Sequence, residues 1–321
     1  MAGWRQELRA GFENALVRPG ADSSYADGDD STWMGVDWPS VLRRERVLGR
    51  EVNFVDTGGS KPPLLFVHGL GGAWQNWLLN IPAFMETHRV IALDLPGFGK
   101  SEMPSEEISI RGYAKVVDAL LDQIGIDRVA VVGNSMGGFV GAELAISFST
   151  RVERLVLVSA AGLSIEYRRA QPLVTLARVW GAAATWISTK TDAVVTRPRV
   201  RRAGMQMLVR YPEKLSPELT WELSHGTGTP GFIPALEALL NYSYRDELEK
   251  IEVPVLVVWG RNDMLVPSGD AQEYVELIGD NARRVMFEDT GHLSMVERPT
   301  RFNRLLADFL AEERQPAAVS G

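Results

Sequence analysis

Six short apolar runs, each stopped by a glycine or a polar residue, set the tightest limit on how this chain folds. PLLFVHG ends at Gly69, HRVIALD at Asp94, RVAVVG at Gly133, ERLVLVS at Ser159, VPVLVVWG at Gly260 and RRVMFED at Asp289. The central runs are apolar on both faces, as strands are when helices cover both sides of their sheet. Between them, residues 73–86, 108–124, 136–149, 268–278 and 296–312 carry helical spacing. Strand and helix in alternation predict a mostly parallel, doubly wound α/β sheet with right-handed crossovers. An alternating stretch at 46–58, RVLGREVNFVDTG, predicts a hairpin that opens the domain.

One interval breaks the alternation. About ninety residues separate the run at 154–158 from the run at 253–259, with several Pro-bounded helical segments, Trp180, Trp186 and Trp221, and no buried strand pattern. That is too long for a loop in a compact domain. The expected organisation is therefore an α/β core at 46–162 and 247–312 with a helical cap inserted at 163–246. Residues 1–45 form an N-terminal extension. In it Trp4, Leu8, Phe12 and Leu16 share one helical face, ahead of an acidic Gly/Ser-containing stretch at 20–32. The extension is expected to pack against the domain, and residues 313–321 form a tail.

Composition narrows the chemistry. Across 321 residues there is no cysteine, which removes disulfides, thiolate metal sites and cysteine nucleophiles. Net charge −7 is the wrong sign for a general nucleic-acid binder. The cap interval carries eleven Lys+Arg against seven Asp+Glu, so it stands at +4 and the remainder at −11. No apolar run approaches the ~18 residues of a membrane span, and the charged N-terminal stretch lacks the apolar centre of a secretory signal. The cytoplasm is the expected location, with no membrane partner.

RVAVVGNSMGG, residues 128–138, raises the question of catalysis. GNSMG fits G-x-S-x-G, in which a strand stops, a serine occupies a tight strained turn, and a helix departs. The flanking glycines avoid clashes, and the turn lifts the hydroxyl above the sheet edge where ligands of open α/β sheets bind. Ser135 is the candidate nucleophile, and it needs a base. Of four histidines, His292 in EDTGHLSMVERP follows the last strand run, on a loop that can reach the same edge. His88 precedes a strand and faces the opposite edge. His225 lies in the cap, and His68 is expected to order the HGLGG loop. The base needs a carboxylate to hold its tautomer. Asp263, a few residues past VPVLVVWG, is the candidate. Asp289 is the rival, three residues from His292, and Asp94 is expected to fasten its own glycine-rich turn.

These residues, in the order Ser135, Asp263, His292, resemble the α/β-hydrolase superfamily over roughly 46–312. The matching stretches are His68 to Gly72, Asp94 to Ser101, Gly133 to Gly138, Gly260 to Asp263, and Gly291-His292. The resemblance implies an oxyanion hole from the backbone N–H of Met136 and of Leu70, or of Gly71 if the loop is shifted. Gly71 and Asn134 are expected to touch substrate. The GNSMGG elbow resembles that of carbon–carbon bond hydrolases acting on aromatic ring-cleavage products. Those relatives carry S/G-G-P-G after HG and a tryptophan after the histidine, where this chain has Leu70-Gly71-Gly72-Ala73 and Leu293.

The expected activity is a capped serine hydrolase acting on small or medium carboxylic esters. Hydrolysis of ring-cleavage products is the alternative, with Arg197, Arg199, Arg201 and Arg202 as candidate carboxylate contacts. A non-catalytic ligand receptor is a third reading. No metal cluster or dinucleotide fingerprint is present in the sequence. GFGKS at 97–101 lacks the first glycine of a phosphate loop, so no cofactor is expected.

Overall fold

A computed structural model describes residues 22–164, 197–224, 226 and 228–312. The strands are β1 Leu42–Val47, β2 Arg50–Asp56, β3 Pro63–Val67, β4 Arg89–Leu93, β5 Val129–Asn134, β6 Val152–Val158, β7 Val255–Gly260 and β8 Ala282–Phe287. They form one sheet in the order β1-β2-β4-β3-β5-β6-β7-β8. β1 and β2 pair antiparallel, β2 meets β4 antiparallel, and all pairs from β4 to β8 are parallel. The doubly wound, mostly parallel sheet follows from the runs of β-branched residues, which bury both faces.

Alternation along the central strands sorts side chains into two cores. Leu65, Val67, Val129 and Val131 face one, whereas Leu64, Phe66, Ala130 and Val132 face the other. The first core is closed by helices Ile110–Gln123, Met136–Ser147 and Asp270–Ile278. Ile110–Gln123 has its apolar residues at helical spacing, with Ile110, Tyr113, Ala114, Val117, Leu120 and Leu121 buried, and Ser109 caps it by accepting from Gly112 N–H. The second core is closed by Pro299–Ala311, whose Phe302, Leu306 and Phe309 are each 1% exposed. Burying one such side chain stabilises the fold by ~1.5–3 kcal/mol.

The opening hairpin starts at Leu42, four residues ahead of the alternating stretch that announces it. Leu42, Arg43, Arg44 and Glu45 pair with β2 as an edge strand, largely solvated and charged, so no apolar alternation marks them. Leu48 and Gly49 turn the hairpin with φ of 49° and 83°, both in the left-handed region that a tight two-residue turn requires.

Between β6 and β7 the described residues are helical: Pro198–Met205, Pro217–Leu223, Phe232–Asn241 and a 3₁₀ turn at Arg245–Lys250. Val209, Leu215, Leu219 and Leu223 join the second core, while Ala235 and Leu239 join the first. Trp221 is on Pro217–Leu223. Trp180, Trp186, and Trp4, Leu8, Phe12 and Leu16 of the N-terminal face lie outside the described residues. Ahead of β1, Tyr25 and Trp33 are buried, so residues 22–41 pack on the core.

Candidate active site

The site is built where β5 ends. Ser135 follows Asn134 with φ 54° and ψ −118°, a strained conformation for a residue bearing a Cβ. Three hydrogen bonds hold it there. Its N–H donates to Val158 O at 2.9 Å, and its carbonyl accepts from Phe139 N–H at 3.1 Å and Ala161 N–H at 3.0 Å. Ser135 stands at the N-cap of Met136–Ser147 but makes no side-chain capping bond, so its hydroxyl is not committed to the helix. The turn is tight enough to demand glycine beside it: a Cβ on Gly137 would lie 2.1 Å from Val67 O. The first N–H groups of the helix, Met136 among them, have no intrahelical acceptor and carry the positive end of the helix dipole.

Asp263 and His292 meet on the same sheet edge. His292 Nδ1 donates to Asp263 Oδ2 at 2.7 Å, and the two side chains are 3% and 0% exposed. Asp263 Oδ1 accepts from Leu265 and Val266 N–H at 2.8 and 3.0 Å. A carboxylate receiving three donors is oriented and has no freedom to leave the ring. With Nδ1 engaged, Nε2 is the nitrogen left for proton transfer.

Asp289 is occupied elsewhere. Its oxygens accept from Tyr211 Oη at 2.8 and 3.0 Å, and Oδ1 faces Arg210 Nε at 3.3 Å. Asp94 holds its own turn, accepting from Trp74 N–H, Asn53 Nδ2 and Lys100 N–H, each at 2.9 Å. His68 is fully buried; Nδ1 lies 2.8 Å from Gly69 O, while Nε2 accepts from Leu95 N–H at 2.9 Å. That pair of contacts fixes a neutral tautomer, and burial pushes the imidazole's pKa down. His68 thus ties the loop after β3 to the loop after β4. His88 adjoins β4 at the sheet's other end, 2.9 Å from Thr87 Oγ1, and His225 lies outside the described residues.

Leu70 and Gly71 sit in the loop after β3, beside the elbow because β3 and β5 pair directly. A Cβ on Gly69 would stand 3.1 Å from Ser135 Cβ, so this loop runs against Ser135. Gly71, at φ 73°, lies under the Phe232 ring, 3.1 Å from where its Cβ would be. Asn134 has a different position from the one expected of a substrate contact. It is 1% exposed, and its amide donates to Val158 O at 3.1 Å and His292 O at 3.4 Å. It holds backbone in place. Arg197, Arg199 and Arg202 are exposed on or beside Pro198–Met205.

One residue has no signal of its own in the sequence. Glu297, five positions after His292, is fully buried and accepts from the N–H groups of Gly291, Leu293 and Arg210 and from Tyr25 Oη. Burial lifts its pKa to about 7, against the pull of those donors. A glutamate between Val296 and Arg298 reads as a helix surface charge; only an apolar stretch running up to it hints at burial. Among the described residues no cluster of His, Asp and Glu is arranged to hold a metal ion, and no helix is long and apolar enough to cross a membrane.

A family model described as the alpha/beta hydrolase fold matches residues 62–299. The 2-hydroxymuconate semialdehyde hydrolase of Pseudomonas sp. (strain CF600) is 31% identical over 296 residues, 88% of this chain and 98% of that protein. The putative carbamate hydrolase RutD of Pseudomonas savastanoi pv. phaseolicola is 30% identical, over 78% of this chain and 93% of the relative. Among solved structures, the enol-lactonase of Burkholderia xenovorans LB400 superposes with a TM-score of 0.67 at 26% identity, over 84% of this chain and 100% of that one. With its elbow serine, its histidine and aspartate on one sheet edge and these matches, the chain belongs to the α/β-hydrolase fold family and is similar within it to carbon–carbon bond hydrolases.

Proposed function

We propose that this hydrolase cleaves small to medium neutral carboxylic esters through an acyl-enzyme on Ser135. The observation that carries the reading is the 2.7 Å contact between His292 Nδ1 and Asp263 Oδ2, on the edge where strained Ser135 presents a hydroxyl not used in capping. Ser135 Oγ attacks the ester carbonyl while His292 Nε2 takes its proton. Asp263 keeps the ring in its productive tautomer and stabilises the imidazolium. The Met136 and Leu70 N–H groups receive the oxyanion, each such donor contributing ~2.7–4 kcal/mol to the transition state. His292 then protonates the departing alcohol, and in the second half-reaction draws a proton from water as it attacks the acyl carbonyl.

Two features favour a neutral acyl group. The Phe232 ring covers the loop at Gly71. Of the four candidate carboxylate contacts, Arg197, Arg199 and Arg202 are exposed, and the side chain of Arg201 lies outside the described residues. A second reading, hydrolysis of a carbon–carbon bond in a vinylogous diketo acid, is supported by the 31% identity to the 2-hydroxymuconate semialdehyde hydrolase. The same core would serve, because that chemistry also passes through an oxyanion at a carbonyl. The test is a substrate panel on the purified protein and Ser135→Ala: p-nitrophenyl acetate, butyrate and octanoate, phenyl thioacetate, and ring-cleavage products. Ester turnover lost in Ser135→Ala supports the first reading. A wild type that prefers a ring-cleavage product overturns it for the second, and one that turns over nothing points to a binding protein.

A further inference from the structure

The loop that carries His292 is held by a carboxylate, and that carboxylate is completed from the far end of the chain. Glu297 Oε2 accepts from Gly291 N–H at 2.9 Å, Arg210 N–H at 2.8 Å and Tyr25 Oη at 2.8 Å, while Oε1 accepts from Leu293 N–H at 3.2 Å. Between those flanking peptides, His292 N–H donates to Leu208 O at 2.9 Å. Three consecutive N–H groups of the loop are therefore fixed by one side chain and by the cap stretch 208–211.

Tyr25 closes this arrangement. Its hydroxyl accepts from Tyr211 N–H at 2.8 Å while donating to Glu297, so one oxygen bridges the cap backbone and the carboxylate. The ring packs edge-on against Tyr211, with centroids 5.0 Å apart at 83°, and lies 5.1 Å from the Arg298 guanidinium. Ala26 N–H adds a bond to Glu297 O at 2.8 Å, and Asp22 pairs with Arg298 further out. Tyr25 is 5% exposed and lies ahead of residues 62–299, which the family model matches.

We propose that Tyr25 is a positioning residue for His292, acting through Glu297. Without the hydroxyl, Glu297 Oε2 loses a donor and Tyr211 N–H loses this acceptor. The carboxylate is then free to rotate between its remaining donors, and the peptides on either side of His292 move with it. A shift of about 1 Å in a catalytic group costs up to ~100-fold in rate. The segment ahead of the core is in this account part of what makes the base competent.

The inference rests on the serine-hydrolase reading, because its readout is the reactivity of Ser135. The experiment uses the full chain at pH 8, with Tyr25→Phe, Asp22→Asn, Glu297→Gln and the Tyr25→Phe/Glu297→Gln double variant. Each is assayed for kcat and KM on p-nitrophenyl butyrate, for the rate of Ser135 labelling by an alkyl fluorophosphonate, and for Tm. Tyr25→Phe is expected to lower kcat and the labelling rate by ~10-fold or more, with KM within about twofold. Asp22→Asn should lower Tm without moving kcat by more than about twofold, since it loosens the same segment but not the carboxylate. In the Glu297→Gln background, Tyr25→Phe should lower kcat by less than about twofold further, because the two act as a unit. A Tyr25→Phe protein that melts lower but keeps wild-type kcat and labelling overturns the proposal. So does full additivity in the double variant. A wild type that the probe does not label defeats the serine-hydrolase reading and this inference together, which distinguishes the two failures.

Discussion

The side-chain amide of Asn134 donates to the carbonyl of His292 at 3.4 Å, so the residue before Ser135 holds the loop that carries His292. The same nitrogen donates to Val158 O at 3.1 Å, on the next strand. An amide with two carbonyl acceptors is at home here, whereas a carboxylate would face two like partial charges. Asn134→Asp is therefore expected to lower kcat by ~10- to 100-fold, with a smaller effect from Asn134→Ala, which only removes one donor from each carbonyl. Steady-state kinetics with Tm measured in parallel check the order. If the alanine variant proves the worse of the two, Asn134 acts by contact with substrate.

Loss of Ser135 or His292 to alanine should remove activity by several orders of magnitude, on the order of 10⁴–10⁶ in kcat, because the two act as a unit. Asp263→Asn should cost up to ~10⁴-fold through the wrong histidine tautomer. Asp289→Asn should change kcat by less than ~10-fold and instead lower stability by ~1–3 kcal/mol, since it weakens the hydrogen bond from Tyr211 and the ion pair with Arg210. Near-wild-type turnover in Ser135→Ala defeats the mechanism, and a larger loss from Asp289→Asn than from Asp263→Asn defeats the choice of acid.

The distance between partners decides what the sequence made legible. Val129 to Val132 announce a strand covered on both faces, and the serine, aspartate and histidine each stand just past such a run, so their shared edge follows from parallel topology. The Leu42–Glu45 strand does not announce itself, because an edge strand with arginines on its open face lacks alternation. Glu297, Tyr25 and Arg210 are silent for another reason. Tyr25 and Glu297 are 272 positions apart, and Tyr25 and Tyr211 are 186 apart; no local period records such a meeting. Asn134 lies in the motif, yet its partners are set by the packing of three chain segments.

Glu297 also makes stability depend on pH. Its pKa rises from 4.5 to about 7 on folding, chiefly by desolvation. Between those values the native state binds more protons than the unfolded chain, so stability falls as pH rises from about 4.5 to about 7 and then levels. The full effect of this one group is on the order of 3 kcal/mol. Urea unfolding of wild type and Glu297→Gln across pH 5–8 isolates it: the wild type should lose stability relative to the glutamine variant as pH rises. A constant difference, or one of opposite sign, shows that Glu297 is ionised throughout this range.

Arg197, Arg199 and Arg202 stand in solvent, where neutralising a charge has little effect on a neutral substrate. Replacing each singly by glutamine should change kcat/KM for p-nitrophenyl butyrate by less than ~10-fold. A variant that loses more, or that abolishes turnover of a ring-cleavage product, assigns that arginine to a substrate carboxylate.

The segment between β6 and β7 meets the core glycine against glycine. Gly231 N–H donates to Gly97 O at 2.9 Å, and a Cβ on Gly226 would stand 1.9 Å from Gly72 O. Gly231 therefore lies on the loop after β4, the Phe232 ring stands over Gly71, and Gly226 lies directly on the loop that carries Leu70. Gly226→Ala must push the cap off that loop. On the proposal that the Leu70 N–H receives the oxyanion, kcat is expected to fall by ~10- to 100-fold while the sheet stays intact. Phe232→Ala leaves the contact in place and removes the ring, opening space for a longer acyl chain. Each methylene newly buried contributes ~0.8 kcal/mol, or about fourfold in kcat/KM. Across p-nitrophenyl esters from acetate to octanoate, the preferred length should move upward in Phe232→Ala and stay unchanged in Gly226→Ala, whose loss should be uniform. If Phe232→Ala leaves the chain-length profile where it was, the ring is packing for the cap helix and the acyl group lies elsewhere.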